Sequence, residues 1–184
     1  WEGRTDKSLV DYISRKLGNS YRHLNRLLQL LFMGDRVETD EIDTALAEVQ
    51  VRELRDECDK GWFEDFDTSK IIEIIGANTT DQNQLLASLY ERAHGMSLAR
   101  ALKGKCGARL FNALNALLLT KADFIAMRLH VAMESWFTDQ RALTRLLGGL
   151  DGDKMLGVTA AFEDKYDQPL WSALRENIHG QFLK

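Results

Sequence analysis

Apolar residues in this sequence recur at intervals of three and four positions, which is the spacing of one face of an α-helix. A clear stripe of this kind joins Leu24, Leu27 and Leu31, and it predicts a helix that ends at the polar connector of residues 33–40. Sustained alternation of apolar and polar positions, the pattern of a half-buried strand, is missing from the sequence, and the chain contains one proline. These observations predict an all-α fold.

Further helices follow, several of them introduced by a residue that is able to cap a helix. Thr68 or Asp67 is expected to cap one helix, and Thr80 or Asp81 the next. Thr138 is expected to cap a helix in the last third of the chain. Two other helical segments are predicted from their apolar positions. These positions are Ile42, Leu46, Val49, Val51 and Leu54 in residues 42–58, and Phe124, Met127, Leu129 and Val131 in residues 123–133.

Part of the sequence occurs twice. Residues 90–102, YERAHGMSLARAL, align with residues 162–174, FEDKYDQPLWSAL, at a shift of 72. A third, partial copy begins at Leu9, which matches Leu98 at a shift of 89. A fixed offset that holds over many positions indicates an internal repeat. The shift of 72 also pairs Asp67 with Asp139, Ile71 with Leu143, Ile74 with Leu146, Ile75 with Leu147, Gly76 with Gly148, and Leu86 with Val158.

Each full copy is predicted to contain five helices, of which the fourth is short. The last copy stops before its fifth helix, and the first copy retains only its fourth and fifth helices. Helical repeats of this size bury their apolar faces against their neighbours, so curved stacking of the repeats is expected rather than a parallel bundle.

The composition and the net charge of the chain argue against some classes of function. Hydrophobic residues make up 45% and charged residues 28% of the 184 positions, an ordinary balance for a globular protein. The net charge of −4 argues against a nucleic-acid partner, because phosphate contacts require a basic surface. Two cysteines, Cys58 and Cys106, suit a reducing compartment without a disulfide framework. The four histidines show no ligand spacing and no nucleophile–base arrangement can be argued, so we expect no enzymatic activity.

Four stretches, taken in order, resemble the annexin family, and together they cover nearly the whole chain. The pair Thr138 and Asp139 retains two letters of the family's glycine-x-glycine-threonine-aspartate loop. The resemblance implies that the chain is the rear part of an annexin core and belongs to a divergent branch such as the alpha-giardins. It also implies that the five-helix repeats stack with a curved, right-handed arrangement. The similar stretches are 18–36 (end of repeat 2), 42–58 (start of repeat 3), 123–133 (opening helix of repeat 4) and 151–182, which includes AFEDKYDQPLWSAL (rest of repeat 4).

The resemblance also implies a domain division. A sequence that begins with Trp1 is expected to be a fragment or a processed product, and the missing part is expected to cover apolar surface on Leu24, Leu27 and Leu31. The implied domains are 1–36, the last two helices of repeat 2; 37–119, repeat 3; and 120–184, repeat 4 without its last helix.

Annexins bind anionic phospholipid through calcium. The resemblance therefore implies a non-enzymatic cytoplasmic protein that is peripheral on the membrane or the cytoskeleton and links the two. Calcium is the implied cofactor and an anionic phospholipid membrane the implied partner, with a cytoskeletal protein or a sulfated glycan as further partners. The alternative is a calcium-independent cytoskeletal or scaffold protein that uses the annexin fold as a protein-binding surface.

The sequence departs from the family at its calcium ligands. The acidic position that follows the fourth helix is Lys16, Lys105 and Asn177 in the three copies. An ammonium group repels a divalent cation that a carboxylate would bind. The loop glycines of the last copy are replaced by Ser135 and Phe137, and the loop of the middle copy is longer. The family's main calcium sites are therefore expected to be degenerate, although a register slip of one residue would make Glu176 a ligand.

Three groups of residues remain candidates for binding. Two pairs of aromatic residues in equivalent loops are candidates for membrane contact, with packing over helix ends as the alternative. A cluster of acidic residues is a candidate for a displaced calcium site, with a solvated loop as the alternative. A basic run is a candidate for an anion or partner patch, with a solvated face as the alternative. The aromatic residues are Trp62, Phe63, Trp136 and Phe137; the acidic residues are Glu64, Asp65 and Asp67; the basic residues are Arg100, Lys103, Lys105 and Arg109.

Overall fold

The computed structural model describes residues 9–33, 41–61, 66–134 and 138–177. Among these residues there is no β-strand, which confirms the all-α prediction. A short 3-10 helix, Asn19–Tyr21, lies between the first two α-helices. The α-helices are α1 (Leu9–Leu17), α2 (Arg22–Met33), α3 (Thr44–Asp59), α4 (Thr68–Ala77), α5 (Thr80–His94), α6 (Leu98–Lys103), α7 (Ala108–Leu118), α8 (Lys121–Glu134), α9 (Gln140–Gly148), α10 (Gly152–Tyr166) and α11 (Leu170–Asn177).

The chain divides into two compact units, Trp1–Leu118 and Leu119–Lys184. In the first unit α2 packs on α4 and α7, α3 packs on α5, and α5 packs on α7. In the second unit α8 packs on α9, α10 and α11. Each unit has its own apolar core, and Tyr90 and Phe162 are the largest side chains without exposed surface in the two cores.

Several of the positions paired at the shift of 72 have matching roles in the two units, although Gly76 is buried and Gly148 is exposed. Ile71 and Leu143 are both buried, as are Leu86 and Val158, Tyr90 and Phe162, and Leu98 and Leu170. Asp67 and Asp139 both cap the second helix of their copy: Asp67 accepts hydrogen bonds from the backbone N–H groups of Ser69 and Lys70, and Asp139 from that of Ala142. The partial first copy differs, because Leu9 is 52% exposed. The boundaries of the repeats at residues 36 and 119 stay a prediction.

Helix α3 buries a different face from the one that its apolar residues indicated. Of the apolar positions that predicted this segment, Ile42, Leu46 and Val49 are exposed, whereas Val51 and Leu54 are buried. The side chains of Gln50 and Glu57 are buried instead, because each finds polar partners in the interior. Satisfied polar groups cost little to bury, and they shift the buried face of the helix away from the apolar stripe. The buried residues of α3 are Ala47, Gln50, Val51, Leu54 and Glu57.

Helix α8 shows the same kind of difference. Val131, one of the apolar positions that predicted this helix, is 48% exposed, whereas Leu129 is buried. The buried face includes Ala126 and Ala132, whose small side chains do not stand out in an apolar pattern. Small residues allow neighbouring helices to approach closely, which is why they are inside.

Two of the expected helix caps are also wrong. Helix α5 is capped by Thr79, whose Oγ1 accepts a hydrogen bond from the backbone N–H of Gln82, and not by Thr80 or Asp81. Helix α9 is capped by Asp139 and not by Thr138. In each case the true cap lies one position from the expected residue, because the cap is fixed by the backbone that precedes the helix and not by residue type alone.

Leu27 is fully buried inside the first unit, so the expectation that a missing part of the protein covers it is wrong. Helix α2 lies against α4 at Gly76, where an added Cβ would be 3.0 Å from Leu30 Cδ2 and 3.1 Å from Leu27 Cδ1. The glycine therefore lets the leucine side chains of α2 occupy the surface of α4.

A buried network of amide side chains joins α3, the α4–α5 turn, α5 and α7. Gln50 and Asn78 exchange two hydrogen bonds, 3.1 and 2.9 Å long. Asn83 donates to the backbone carbonyls of Ile75 at 2.9 Å and Leu117 at 3.2 Å. These carbonyls lie in the last turns of α4 and α7, where carbonyl groups have no partner within their own helix. The Asn83 side chain therefore caps two helices at once.

Candidate functional site

A cavity of about 380 Å³ lies in the first unit, between the turn that precedes α2 and the turn that precedes α7. Residues 20–24 line it from the first turn and residues 105–110 from the second. Thr68, the first residue of α4, completes the lining. The cavity exists because the α1–α2 and α6–α7 pairs both end their first helix at a turn and begin their second helix nearby.

The cavity is cationic. Arg22, Lys105 and Arg109 line it, and no acidic residue is present among the described residues of its lining. Within the described part of the chain, none of the three side chains forms an ion pair. No carboxylate in the described ranges therefore neutralises their charge.

Two of the three cations are held in place by neutral groups. The Arg109 guanidinium lies over the Tyr21 ring, 4.2 Å from its centroid. This cation–π contact uses the face of the guanidinium and leaves its in-plane N–H groups available as donors. Arg22 Nε donates a hydrogen bond to His23 Nε2 at 3.1 Å, and the remaining N–H groups of that guanidinium keep their donor capacity.

His23 lines the cavity, and its pKa is affected by burial and by the positive charges near it. The pKa of the His23 imidazole lies below its ordinary value, first because the ring is partly buried and then because Arg22 and Arg26 are close. The Asp67 carboxylate acts in the opposite direction but does not outweigh them. Because His23 Nε2 accepts a hydrogen bond from Arg22, the ring is neutral in this arrangement.

Lys105 joins the cavity to the α3–α4 loop, residues 60–67. Its Nζ donates a hydrogen bond to the backbone carbonyl of Lys60. The Lys60 side chain in turn forms an ion pair with the buried Glu57 carboxylate, with 2.7 Å between Nζ and Oε2. Glu57 Oε2 also accepts the backbone N–H of Asp67 at 3.0 Å. The start and the end of the loop are thus both tied to protein groups.

The last copy makes the corresponding connection without a charged group. Thr138 Oγ1, in the α8–α9 loop of residues 135–139, donates to the backbone carbonyl of Asn177 at 2.9 Å. The Asn177 side-chain amide donates to the Ala173 carbonyl of its own helix. Asn177 stands where the resemblance implies an acidic ligand. Its side chain is hydrogen-bonded to its own helix and presents no carboxylate.

These contacts do not fit a calcium ion. Calcium takes six to eight oxygen ligands, usually with a carboxylate among them. The Lys105 ammonium is bonded to the carbonyl of Lys60, and Asn177 offers no negative charge. No group of three histidine, cysteine, aspartate or glutamate side chains within the described ranges is arranged to hold a metal.

Two of the four acidic candidates, Asp67 and Glu176, lie among the described residues, and each has hydrogen-bond partners of its own. The Asp67 carboxylate caps α4. Glu176 is exposed and accepts a hydrogen bond from Gln168 Nε2 at 3.0 Å. Glu64 and Asp65 lie outside the described residues, as do the four aromatic candidates for membrane contact, Trp62, Phe63, Trp136 and Phe137.

The basic run separates in the structure. Lys105 and Arg109 line the cavity, whereas Arg100 and Lys103 are exposed on α6 and do not line it. Arg22 and His23 also line the cavity but were not predicted from the sequence, because they are distant in sequence from the basic run. The partial repeat contains a usable signal: at the shift of 89, Tyr21 corresponds to Leu110, so the two turns that form the cavity occupy equivalent places in their copies.

Both cysteines are free thiols in the first unit. Burial, and then the neighbouring Cys58, raises the pKa of the Cys106 thiol to about 11. Burial likewise raises the pKa of Cys58. Cys106 lines the cavity, and as a neutral thiol it adds no negative charge there.

No protein-family profile matches the chain. Among curated proteins, the chain is 23% identical over 171 residues to annexin A6 of Gallus gallus, covering 91% of this chain and 25% of that protein. It is 27% identical over 179 residues to annexin A3 of Homo sapiens, covering 96% of this chain and 54% of that protein. The chain thus spans between about a quarter and a little over half of the length of these relatives.

Solved structures share the fold. The structure of annexin III superposes with a TM-score of 0.76 at 25% identity, covering 95% of this chain and 54% of that one. The calcium-bound structure of alpha-14 giardin gives a TM-score of 0.80 at 18% identity, covering 98% of this chain and 59% of that one. In the described part of this chain, no helix is long and apolar enough to cross a bilayer.

Proposed function

Because the chain is an annexin-like protein with the all-α annexin repeat fold, we propose that it binds anionic phospholipid membranes peripherally through a surface whose calcium sites are degenerate. On this proposal the domains are the end of repeat 2 (1–36), repeat 3 (37–119) and repeat 4 (120–184). The protein is non-enzymatic and lies on the cytoplasmic side, where it connects the membrane with the cytoskeleton.

The contact between Lys105 and the Lys60 carbonyl carries the proposal of a degenerate site. Lys105 stands where the resemblance places an acidic calcium ligand, and its ammonium group bonds a carbonyl of the loop that would supply the other ligands. The protein's own cation therefore makes the connection between α6 and the α3–α4 loop. A divalent ion at the same place would meet a positive charge within a few ångströms.

Vesicle binding tests the membrane function. The protein is sedimented with phosphatidylserine vesicles, once with EDTA and once with millimolar calcium, and phosphatidylcholine vesicles serve as the control. We expect binding to phosphatidylserine that calcium changes little. Absence of binding in both conditions, together with binding to actin filaments, would contradict the membrane function and favour the calcium-independent scaffold.

A substitution tests the role of Lys105. In Lys105→Glu, the carboxylate faces the Lys60 carbonyl, so the loop loses its bond and gains a calcium ligand. We expect calcium to raise the Tm of this variant and to leave the Tm of the unsubstituted protein unchanged. Lys103→Glu makes the same change of charge on an exposed part of α6 and is the matched control. An equal calcium response in the two variants, or none in either, would contradict the proposed role.

A further inference from the structure

We propose that the cationic cavity between the α1–α2 turn and the α6–α7 turn binds a phosphate monoester group without calcium. The chemistry is that of a tetrahedral dianion, presented by a phospholipid headgroup or by a free phosphate. The inference rests on the proposed function for its membrane setting, but binding of the anion itself does not depend on that function.

Charge is the first argument. Three basic side chains, Arg22, Lys105 and Arg109, line one cavity without an acidic residue among its described lining. The described carboxylate whose charge acts on His23 is that of Asp67, which is already engaged by two backbone N–H groups at the start of α4. A cavity with this balance attracts anions and repels cations.

Donor geometry is the second argument. The Lys105 ammonium has three N–H donors, and one of them is used by the Lys60 carbonyl, so two remain. The Arg109 guanidinium is positioned by the Tyr21 ring and keeps its N–H edge free for an oxyanion. Helix α7 begins at Ala108 in the same lining, and the first-turn N–H groups of a helix have no acceptor within it. Side chains and backbone therefore offer donors to the same space.

Size is the third argument. The volume of about 380 Å³ lies within the range of about 300–1,000 Å³ that is usual for small-molecule sites. The space accepts a phosphate with a small attached headgroup. An extended acidic polymer would instead be expected to follow exposed charges such as Arg100 and Lys103 on the outside of α6.

The test uses the full chain in EDTA. Binding is measured to phosphatidylcholine vesicles that contain a minority of phosphatidic acid, whose headgroup is a phosphate monoester, and separately to inorganic phosphate. Phosphate binding is followed by the proton NMR signals of His23, one of four histidines in the chain. We expect phosphate to shift the His23 signals. Competition of phosphate with the vesicles would indicate that the site accepts both sources, and vesicle binding without competition would indicate a preference for the lipid.

Four single variants, arranged in two pairs, each remove one positive charge. Arg22→Gln and Arg109→Gln change the cavity, and we expect each to weaken binding at least about tenfold, since each removes a charge-assisted hydrogen bond. Arg100→Gln and Lys103→Gln change exposed residues outside the cavity, and we expect changes of less than about twofold. Thermal unfolding shows whether Arg109→Gln remains folded without its contact to Tyr21, and Arg22→Gln tests the cavity while that contact is retained.

Equal weakening in all four variants would show attraction to a general surface charge and would overturn the inference. No weakening in any variant, or His23 signals that do not respond to phosphate or to phosphatidic acid, would overturn it as well. Binding to phosphatidylserine vesicles that is indifferent to Arg22 and Arg109 would leave the proposed function intact and only the cavity excluded. A His23 response to phosphate that Arg22→Gln abolishes, without any vesicle binding, would support the site and contradict the membrane function.

Discussion

Replacement of Asn83 tests whether the buried amide network stabilises the first unit by capping two helices. Its side chain has no exposed surface, and both of its N–H groups donate to carbonyls, those of Ile75 and Leu117. Its Oδ1 accepts a hydrogen bond from Asn78 Nδ2 at 3.2 Å. In Asn83→Ala all three hydrogen bonds are lost, and two helix-end carbonyls lose the donor that capped them.

The expected loss of stability follows from these contacts. A buried polar group left without its partner costs about 1–3 kcal/mol, so two carbonyls account for roughly 2–6 kcal/mol. Alanine has the better helix propensity, which returns roughly 0.6 kcal/mol. Water that enters the space left by the side chain bonds the two carbonyls in part, which lowers the upper limit of this loss. We expect Asn83→Ala to reduce the free energy of unfolding by roughly 2–4 kcal/mol.

Urea denaturation followed by circular dichroism measures the effect. Asn112→Ala is the matched control, because Asn112 is exposed on α7 and the chemical change is identical. We expect the control to change the free energy of unfolding by no more than about 0.5 kcal/mol. Asn83→Asp should be less stable than Asn83→Ala at neutral pH, since it keeps the shape but sets a carboxylate against two carbonyls. A loss in Asn83→Ala no larger than that in the control would refute the double-capping role.

Two further predictions concern packing and thiol chemistry. Gly76→Ala should lower the free energy of unfolding by about 1 kcal/mol or more, because the new Cβ would be 3.0 Å from a leucine methyl group of α2. Gly148→Ala, at the equivalent position of the last copy, has open space around its Cβ and should be neutral or slightly stabilising in the same urea experiment; equal losses would contradict the packing argument. Cys106, with a pKa of about 11, is almost entirely protonated at pH 8, and its thiolate fraction is about a hundredfold lower than at the ordinary pKa of a thiol. Because a more basic thiolate is also more nucleophilic, its reaction with a disulfide reagent should be about tenfold slower in the folded protein than in urea, and equal rates would contradict its burial.

The order of the helices was predictable from the sequence because it depends on local periodicity and on an offset that repeats. Ile71 and Leu143 show this well: they are paired at a shift of 72, and both are buried in the second helix of their copy. The offset also placed Asp67 and Asp139 at equivalent helix starts, and both are caps. A repeated apolar or capping position keeps its role when the module around it is repeated.

The buried face of α3 was not predictable, because burial of a polar side chain depends on partners that a periodic pattern does not show. Gln50 is buried only because Asn78 meets both ends of its amide. Glu57 is buried because Lys60 and the N–H of Asp67 satisfy its carboxylate, and these bonds outweigh burial and hold its pKa below the ordinary value. Propensity and periodicity contain no information about such partners.

The sequence by itself determined the helical class, the internal repeat and the resemblance to annexins, and it has Lys105 and Asn177 where that resemblance implies acidic residues. Those are properties of residue type and spacing. The tertiary structure alone decided that Lys105 bonds the carbonyl of Lys60, and that Arg22 joins Lys105 and Arg109 around one cavity. The physical reason is that Coulombic forces and hydrogen bonds act over a few ångströms, and only the folded chain brings residues so far apart in sequence within that distance.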